Sequence, residues 1–301
     1  MIKGGRIIDL PWLGAGRSGT NGSEAAMRTE RFWRKACLAS CLLLTLAACQ
    51  SSPPGASLPV DVETGSEANL ESLTAVIARD PSNPDAYNVR GSAYGRAGRS
   101  REAIADFTKA IELDPSFGRA YANRALAHRR NGDTKAALED YNRAIQADPN
   151  YAGAYVGRGN IYRQEARLDL ALADYNAAIG LDPSDAQAFH NRGLAFQAQS
   201  QHQPAVEDFT TSIGLSPRSG EPYDGRGLSY LALGDAKAAL EDFNEAVRRD
   251  AQSFRGWTNQ ALALEQLGER EKAFAAFARA ASLNPSYQPA KDGMRRTSAT
   301  G

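Results

Sequence analysis

PSFGRAYANRALAHRRNGDTKAALEDYNRAIQADP, residues 115–149, opens and closes on proline and carries the plan of most of the chain. The proline returns every 34 residues, at Pro81, Pro115, Pro149, Pro183, Pro217 and Pro285, with Ala251 standing in once. Asp precedes it at Pro81, Pro115, Pro149 and Pro183. Proline ends a helix because it lacks an N–H and biases the residue before it away from helical backbone. A fixed period of this size marks stacked supersecondary units, none of which buries its apolar face alone.

Other residues keep the same phase. With Pro84, Gly118, Ala152, Ala186, Gly220 and Phe254 as first residues, position 4 is always aromatic: Tyr87, Tyr121, Tyr155, Phe189, Tyr223 and Trp257. Position 24 is aromatic too, at Phe107, Tyr141, Tyr175, Phe209, Phe243 and Phe277. Position 8 is Gly or Ala, and position 20 is Ala in every unit, from Ala103 to Ala273. Small residues let two antiparallel helices approach closely, and the rings fill the space between one hairpin and the next. No strand-like alternation interrupts the helical pattern, and Gly98, Gly132, Gly234 and Gly268 mark the turns. These marks resemble the tetratricopeptide repeat. The resemblance implies an all-α TPR α-solenoid, a right-handed superhelix of helix-turn-helix repeats, with six complete repeats over residues 84–287 and a concave surface that holds other proteins.

Position 7, Leu in many repeats of this class, is Arg90, Arg124, Arg158, Arg192 and Arg226, then Gln260. Position 23 follows it as Asp106, Asp140, Asp174, Asp208 and Asp242, then Ala276. Both charges leave in the same repeat, which predicts pairing inside a repeat and a structural ladder rather than a ligand site. A planar guanidinium matches a carboxylate with two parallel hydrogen bonds.

The chain has 35 Lys and Arg against 35 Asp and Glu, so no net field draws nucleic acid or an anionic membrane surface. Catalysis finds no foothold. Of three histidines, His128 occupies position 11, filled elsewhere by Tyr94, Tyr162, Phe196 and Tyr230, and reads as a core substitute, while His202 reads as a turn residue. There is no glycine-rich phosphate loop, metal-ligand spacing or nucleophile elbow. The expectation is no enzyme, no cofactor and no metal.

Arg28, Arg31, Arg34 and Lys35 precede an apolar run from Ala36 to Ala48, about 13 residues against the roughly 20 that cross a bilayer, and the run ends Leu46-Ala47-Ala48-Cys49. This resembles a bacterial lipoprotein signal peptide and implies lipidation (palmitate and related acyl chains) at Cys49, an anchor that lasts because several chains share it. Residues 1–48 are then a signal segment, in which 1–26 lack periodicity and Met27 is the expected start. Cys37 and Cys41 would be lost with it, leaving no disulfide. Residues 49–65 read as a flexible tether with a reach of about 20 Å. Gln50 rather than Asp after the cysteine favours, by the same resemblance, an outer membrane facing the periplasm. Residues 66–83 read as an N-terminal capping helix with Leu73, Val76 and Ile77 inward, and 288–301 as a C-terminal solvating helix and tail with Lys291, Arg295 and Arg296 outward.

In this family first-helix positions 2, 5, 6, 9, 12 and 13 line the concave groove. They supply Arg96, Arg119, Asn123, Arg129, Arg130, Asn160 and Arg163 early, His190, Asn191 and Asn259 further on, and Leu194, Leu228, Leu231 and Leu262 late. A basic end and an apolar end suit a peptide or helix with an acidic segment and an apolar anchor. The carboxylate clamp of chaperone-binding relatives needs Lys and Arg beside its two Asn. Around Asn160 and Asn191 stand Val156, Glu221 and Gly225 instead. From lipobox to residue 287 the chain resembles the tetratricopeptide lipoproteins of bacterial envelopes. One branch is the NlpI-like scaffolds that dock peptidoglycan hydrolases and a protease; another is the pilotins of pili and secretins. The implied job is a non-catalytic scaffold or adaptor for envelope proteins, tied to the membrane by its lipid. The alternatives are an assembly lipoprotein for a pilus or secretin, and a soluble cytosolic adaptor. Homo-oligomerisation stays open.

Overall fold

The computed structural model describes residues 66–298. The signal segment, Cys49 and the tether lie outside them. Among the described residues there are fourteen helices and no strand. Helix α1 (Glu67–Arg79) precedes six hairpins: α2 (Pro84–Arg96) with α3 (Ser100–Leu113), α4 (Gly118–Arg130) with α5 (Thr134–Ala147), α6 (Ala152–Gln164) with α7 (Leu168–Leu181), α8 (Ala186–Ala198) with α9 (His202–Leu215), α10 (Glu221–Ala232) with α11 (Ala236–Arg249), and α12 (Phe254–Gln266) with α13 (Arg270–Leu283). Helix α14 (Gln288–Thr297) follows. Every helix packs on the next along the chain. From α2 onward the first helices also touch the first helix of the following unit, and the second helices do not touch one another. First helices therefore form the inner wall of the solenoid and second helices the outer.

The Asp before each proline has a structural duty. Asp80, Asp114, Asp148 and Asp182 are the C-caps of their helices, and each accepts at Oδ1 from the backbone N–H two residues on, at Ser82, Ser116, Asn150 and Ser184, at 2.9 to 3.1 Å. The side chain thus closes the turn that proline enforces. Asp250 does the same for Gln252 at 3.0 Å although Ala251 replaces the proline. Within each hairpin, position 15 adopts a left-handed backbone. Gly98, Gly132, Gly234 and Gly268 have φ of 75 to 85°, whereas Ala166 and Ser200 hold φ of 56° and 59° without glycine's freedom.

The position-24 ring sits between its own position 8 and position 6 of the next first helix, and at least one of these is always glycine. A Cβ on Gly159 would lie 2.8 Å from Tyr175, and one on Gly227 2.6 Å from Phe243, so alanine there presses into the ring. The next repeats carry Asn191 and Asn259 at position 6. Where position 8 is Ala125 or Ala261, the ring leans the other way, and the facing residue is Gly157 or Gly293, whose added Cβ would collide with Tyr141 or Phe277. Phe209 is held between two glycines, and a Cβ on Gly193 or Gly225 would lie 2.9 or 2.7 Å from its ring. Core packing therefore decides which groove positions can carry a side chain.

Several details differ from the sequence expectation. In α1 the buried residues are Leu70, Leu73 and Ile77, with Val76 only half-buried. His202 is the first residue of α9, not part of a turn. His128 is half-buried, like Tyr94, Tyr162, Phe196 and Tyr230 at the same position, and its Nε2 lies 3.9 Å from Asp140 Oδ2. Arg296 does not point away: Nε and Nη2 donate to Glu265 at 2.9 and 2.8 Å, while Arg270 donates to its carbonyl and Met294 packs beside Phe277. These contacts seat α14 on the last hairpin.

Candidate peptide-binding groove

Two polar arrays run along the solenoid, and they differ in how far their side chains are committed to the frame. In the ladder, Arg90 donates from Nε and Nη2 to the two oxygens of Asp106 at 2.7 and 2.8 Å. Arg124–Asp140, Arg158–Asp174, Arg192–Asp208 and Arg226–Asp242 repeat this fork at 2.7 to 2.9 Å. All five Asp are buried. The third donor, Nη1, was not anticipated. It reaches back to position 25 of the preceding second helix, at Thr74, Thr108, Asn142, Asn176 and Thr210, at 2.7 to 3.1 Å. Each arginine therefore ties its own hairpin together and that hairpin to its neighbour. The guanidinium also lies 5.5 to 6.0 Å from the ring at position 4 and, except beside His128, the ring at position 11. These arginines are committed to the frame.

The second array lines the inner wall. Arg96, Asn123 and Arg130 meet in a recess of about 180 Å³ with Leu126 and Ser92. Asn123 donates to Asn88 Oδ1 of the preceding repeat at 2.9 Å, and Arg130 Nη1 to the Gly95 carbonyl at 3.0 Å. Arg163, His190 and Asn191 meet in a larger cavity of about 460 Å³, with Gln187, Leu194 and Leu228. Arg119, Arg129 and Asn160 line neither. Arg119 stacks at 5.7 Å over Phe117, and Asn160 Oδ1 is taken by the Tyr175 hydroxyl at 2.8 Å.

The three position-6 asparagines show how the larger cavity differs. Asn123 donates to position 5 of the preceding repeat, Asn88, and Asn259 does likewise to Asp224 at 2.8 Å. The residue facing Asn191 at that register is Val156, which accepts nothing. Gln187 fixes Asn191 by donating to its Oδ1 at 3.2 Å, and Asn191 Nδ2 is left buried with no hydrogen-bond partner among the described residues. His190 Nδ1 and Arg163 Nε share that condition. Asn191 is 5% exposed and His190 8%. A buried polar atom without a partner costs about 1–3 kcal/mol, so these three around one cavity, two of them donors and His190 Nδ1 a donor or acceptor by tautomer, are a standing demand for a ligand's polar atoms.

The late end of the groove is not simply apolar. Glu221, Asp224 and Asp250 line the same cavity as Leu194 and Leu228, while Leu231 packs beside the Phe243 core. Glu221 and Asp224 hold positions 2 and 5, so the groove register contained them; Asp250 caps a second helix and lies outside any first-helix count. Burial raises the Asp224 carboxyl above its ordinary range, partly offset by the Asn259 amide and the charge of Arg255. Burial likewise depresses the His190 imidazole and so favours the neutral ring, helped by the charge of Arg163 and opposed by that of Glu221.

No group of three or more His, Cys, Asp or Glu among the described residues has the arrangement to hold a metal ion, and no described helix is long and apolar enough to cross a membrane.

Family profiles match the same repeats. One described as tetratricopeptide repeat matches residues 88–152 and 225–287, and one described as TPR repeat matches 159–200. No curated protein matches the chain. Among solved structures, the Cut9–Hcn1 hetero-tetramer of the APC/C aligns over 79% of this chain at 20% identity and TM-score 0.70; this chain spans 47% of that subunit. Pseudomonas aeruginosa pilF aligns over 73% of this chain and 99% of its own at 21% identity and TM-score 0.66. PilW, described as a widely conserved type IV pilus biogenesis factor, aligns over 69% and 97% at 18% identity and TM-score 0.64. With profile matches over more than half of its length and the hairpin stack they describe, the chain belongs to the tetratricopeptide repeat family, whose members mediate protein–protein interaction and are generally non-catalytic.

Proposed function

We propose that this protein is a non-catalytic scaffold of the bacterial envelope, anchored through acylated Cys49, and that it docks peptidoglycan-remodelling enzymes or proteases by holding a segment of them in its groove. The observation that carries the binding role is the set of buried, unpartnered polar atoms of Arg163, His190 and Asn191 around one cavity of the inner wall. The anchor rests on the basic residues, the short apolar run and the Leu46-Ala47-Ala48-Cys49 box. The outer membrane facing the periplasm is the proposed location.

A second reading, an assembly lipoprotein for a pilus or secretin, draws on two fold relatives, pilF and PilW, the latter described as a pilus biogenesis factor. Crosslinking in intact envelopes separates the two. Recovery of hydrolases or proteases supports the first, recovery of a secretin subunit supports the second, and recovery of neither overturns both. Fatty-acid labelling that disappears in Cys49→Ala supports the anchor. Its absence in the unaltered chain would leave the third reading, a soluble adaptor. Arg130→Glu is expected to weaken the captured complex, with a small loss in the helical melt because its bond to the Gly95 carbonyl goes too.

A further inference from the structure

The larger cavity has a chemical polarity that the groove as a whole lacks. On one side are donors: Asn191 Nδ2 and Arg163 Nε, both buried and unpartnered among the described residues. On the other are three carboxylates, Glu221, Asp224 and Asp250, and among the described residues none of them forms an ion pair. Asp224 is the least exposed of the three, and its one close donor is the neutral amide of Asn259 at 2.8 Å. The cavity wall therefore holds more negative than positive charge; Glu221 and Asp250 are exposed, and the half-buried Asp224 is the one whose carboxylate burial makes costly, with only the charge of Arg255 in partial relief. Leu194 and Leu228 add apolar surface of the kind that a long aliphatic stem covers.

We propose that this cavity receives a lysine or arginine side chain of the bound peptide, its cation placed among Glu221, Asp224 and Asp250, with main-chain carbonyls beside it accepting from Asn191 Nδ2 and Arg163 Nε. The inference rests on the reading that the groove holds a peptide. It reverses the expected composition at this end, where an apolar anchor would sit. Together with the basic recess of Asn123 and Arg130, it describes an occupant that runs from an acidic segment to a basic side chain. Charge complementarity of this kind fixes the direction in which a peptide lies.

A library of random dodecapeptides displayed on phage, selected on the full chain, tests the proposal. The expected result is enrichment of Lys or Arg at one fixed position, and loss of that preference on Glu221→Gln with Asp224→Asn. By fluorescence anisotropy the best selected peptide should bind that double variant about tenfold more weakly, which is about 1.4 kcal/mol. Asn191→Leu should weaken every selected peptide regardless of its basic residue. Circular dichroism melts verify that both variants are folded. Selected peptides without a basic position overturn this inference and leave the groove reading standing; failure to select any peptide overturns both. Free L-arginine amide that competes as well as the peptide would make the cavity a small-molecule site and overturn the peptide assignment.

Discussion

Gln260 donates to Asn244 Oδ1 at 2.7 Å in the one repeat where Ala276 replaces the ladder carboxylate. The bond to the preceding repeat therefore outlives the pair within the repeat. An amide with one useful donor direction suffices when only the backward link is needed. A guanidinium appears wherever both links must be made, because its five N–H donors form a fixed fork.

Replacing Arg158 by Leu strands the buried Asp174 carboxylate and is expected to cost about 2–3 kcal/mol. Replacing both Arg158 and Asp174 by Leu should recover at least half of the lost Tm, since no charge is left uncompensated. Equal losses in the two variants would show that the fork is not the main role of Arg158.

Ala166 and Ser200 occupy the left-handed turn position that four sister repeats give to glycine. Ala166→Gly and Ser200→Gly should each raise stability by about 0.5–1 kcal/mol, and Gly234→Ala should lower it by about 1 kcal/mol or more. Thermal melts of the three variants decide it; a loss in both glycine variants would refute the strain argument.

Gly159→Ala presses on Tyr175, which has Asn191 on its far side, and should cost about 1–3 kcal/mol. Gly193→Ala meets Phe209 at 2.9 Å, and that ring already fills the space beside Gly225, so the loss of Tm should be of similar size. Adding Asn191→Gly to Gly159→Ala should recover part of the loss. An unchanged Tm in either single variant would mean that the rings do not press on these glycines as described.

The Asp224 carboxyl, raised by burial, makes a pH-dependent contribution whose sign can be worked out. An acid that holds its proton more tightly in the folded state contributes nothing below its unfolded pKa and destabilises the fold as pH rises through the folded value. Asp224→Asn should therefore have a higher Tm than the unaltered chain at pH 7, and the gap should close below the ordinary carboxylate range. A gap that widens toward acid would contradict the raised pKa.

Repeat number, hairpin boundaries and packing rings were all legible, because a 34-residue period samples each structural demand six times. The joint loss of charge at Gln260 and Ala276 made the ladder pairing readable too. The backward bond to Thr74 or Asn142 was missed because position 25 is Thr in some repeats and Asn in others, two residues with no shared hydropathy signal but a shared side-chain oxygen. The larger cavity was read only in part. Arg163, His190 and Asn191 follow from first-helix register, whereas Asp250 comes from a helix cap, and no one-dimensional count shows that Val156 deprives Asn191 of its acceptor.

Since each hairpin meets only the units beside it, the stack has no contact that closes the two ends on each other. Its stability is then a sum over the units and the interfaces between neighbours, so a terminal hairpin can open while the rest of the stack stays formed. The Arg130 recess and the Asp224 cavity are held at their spacing only by the neighbour-to-neighbour interfaces that lie between them.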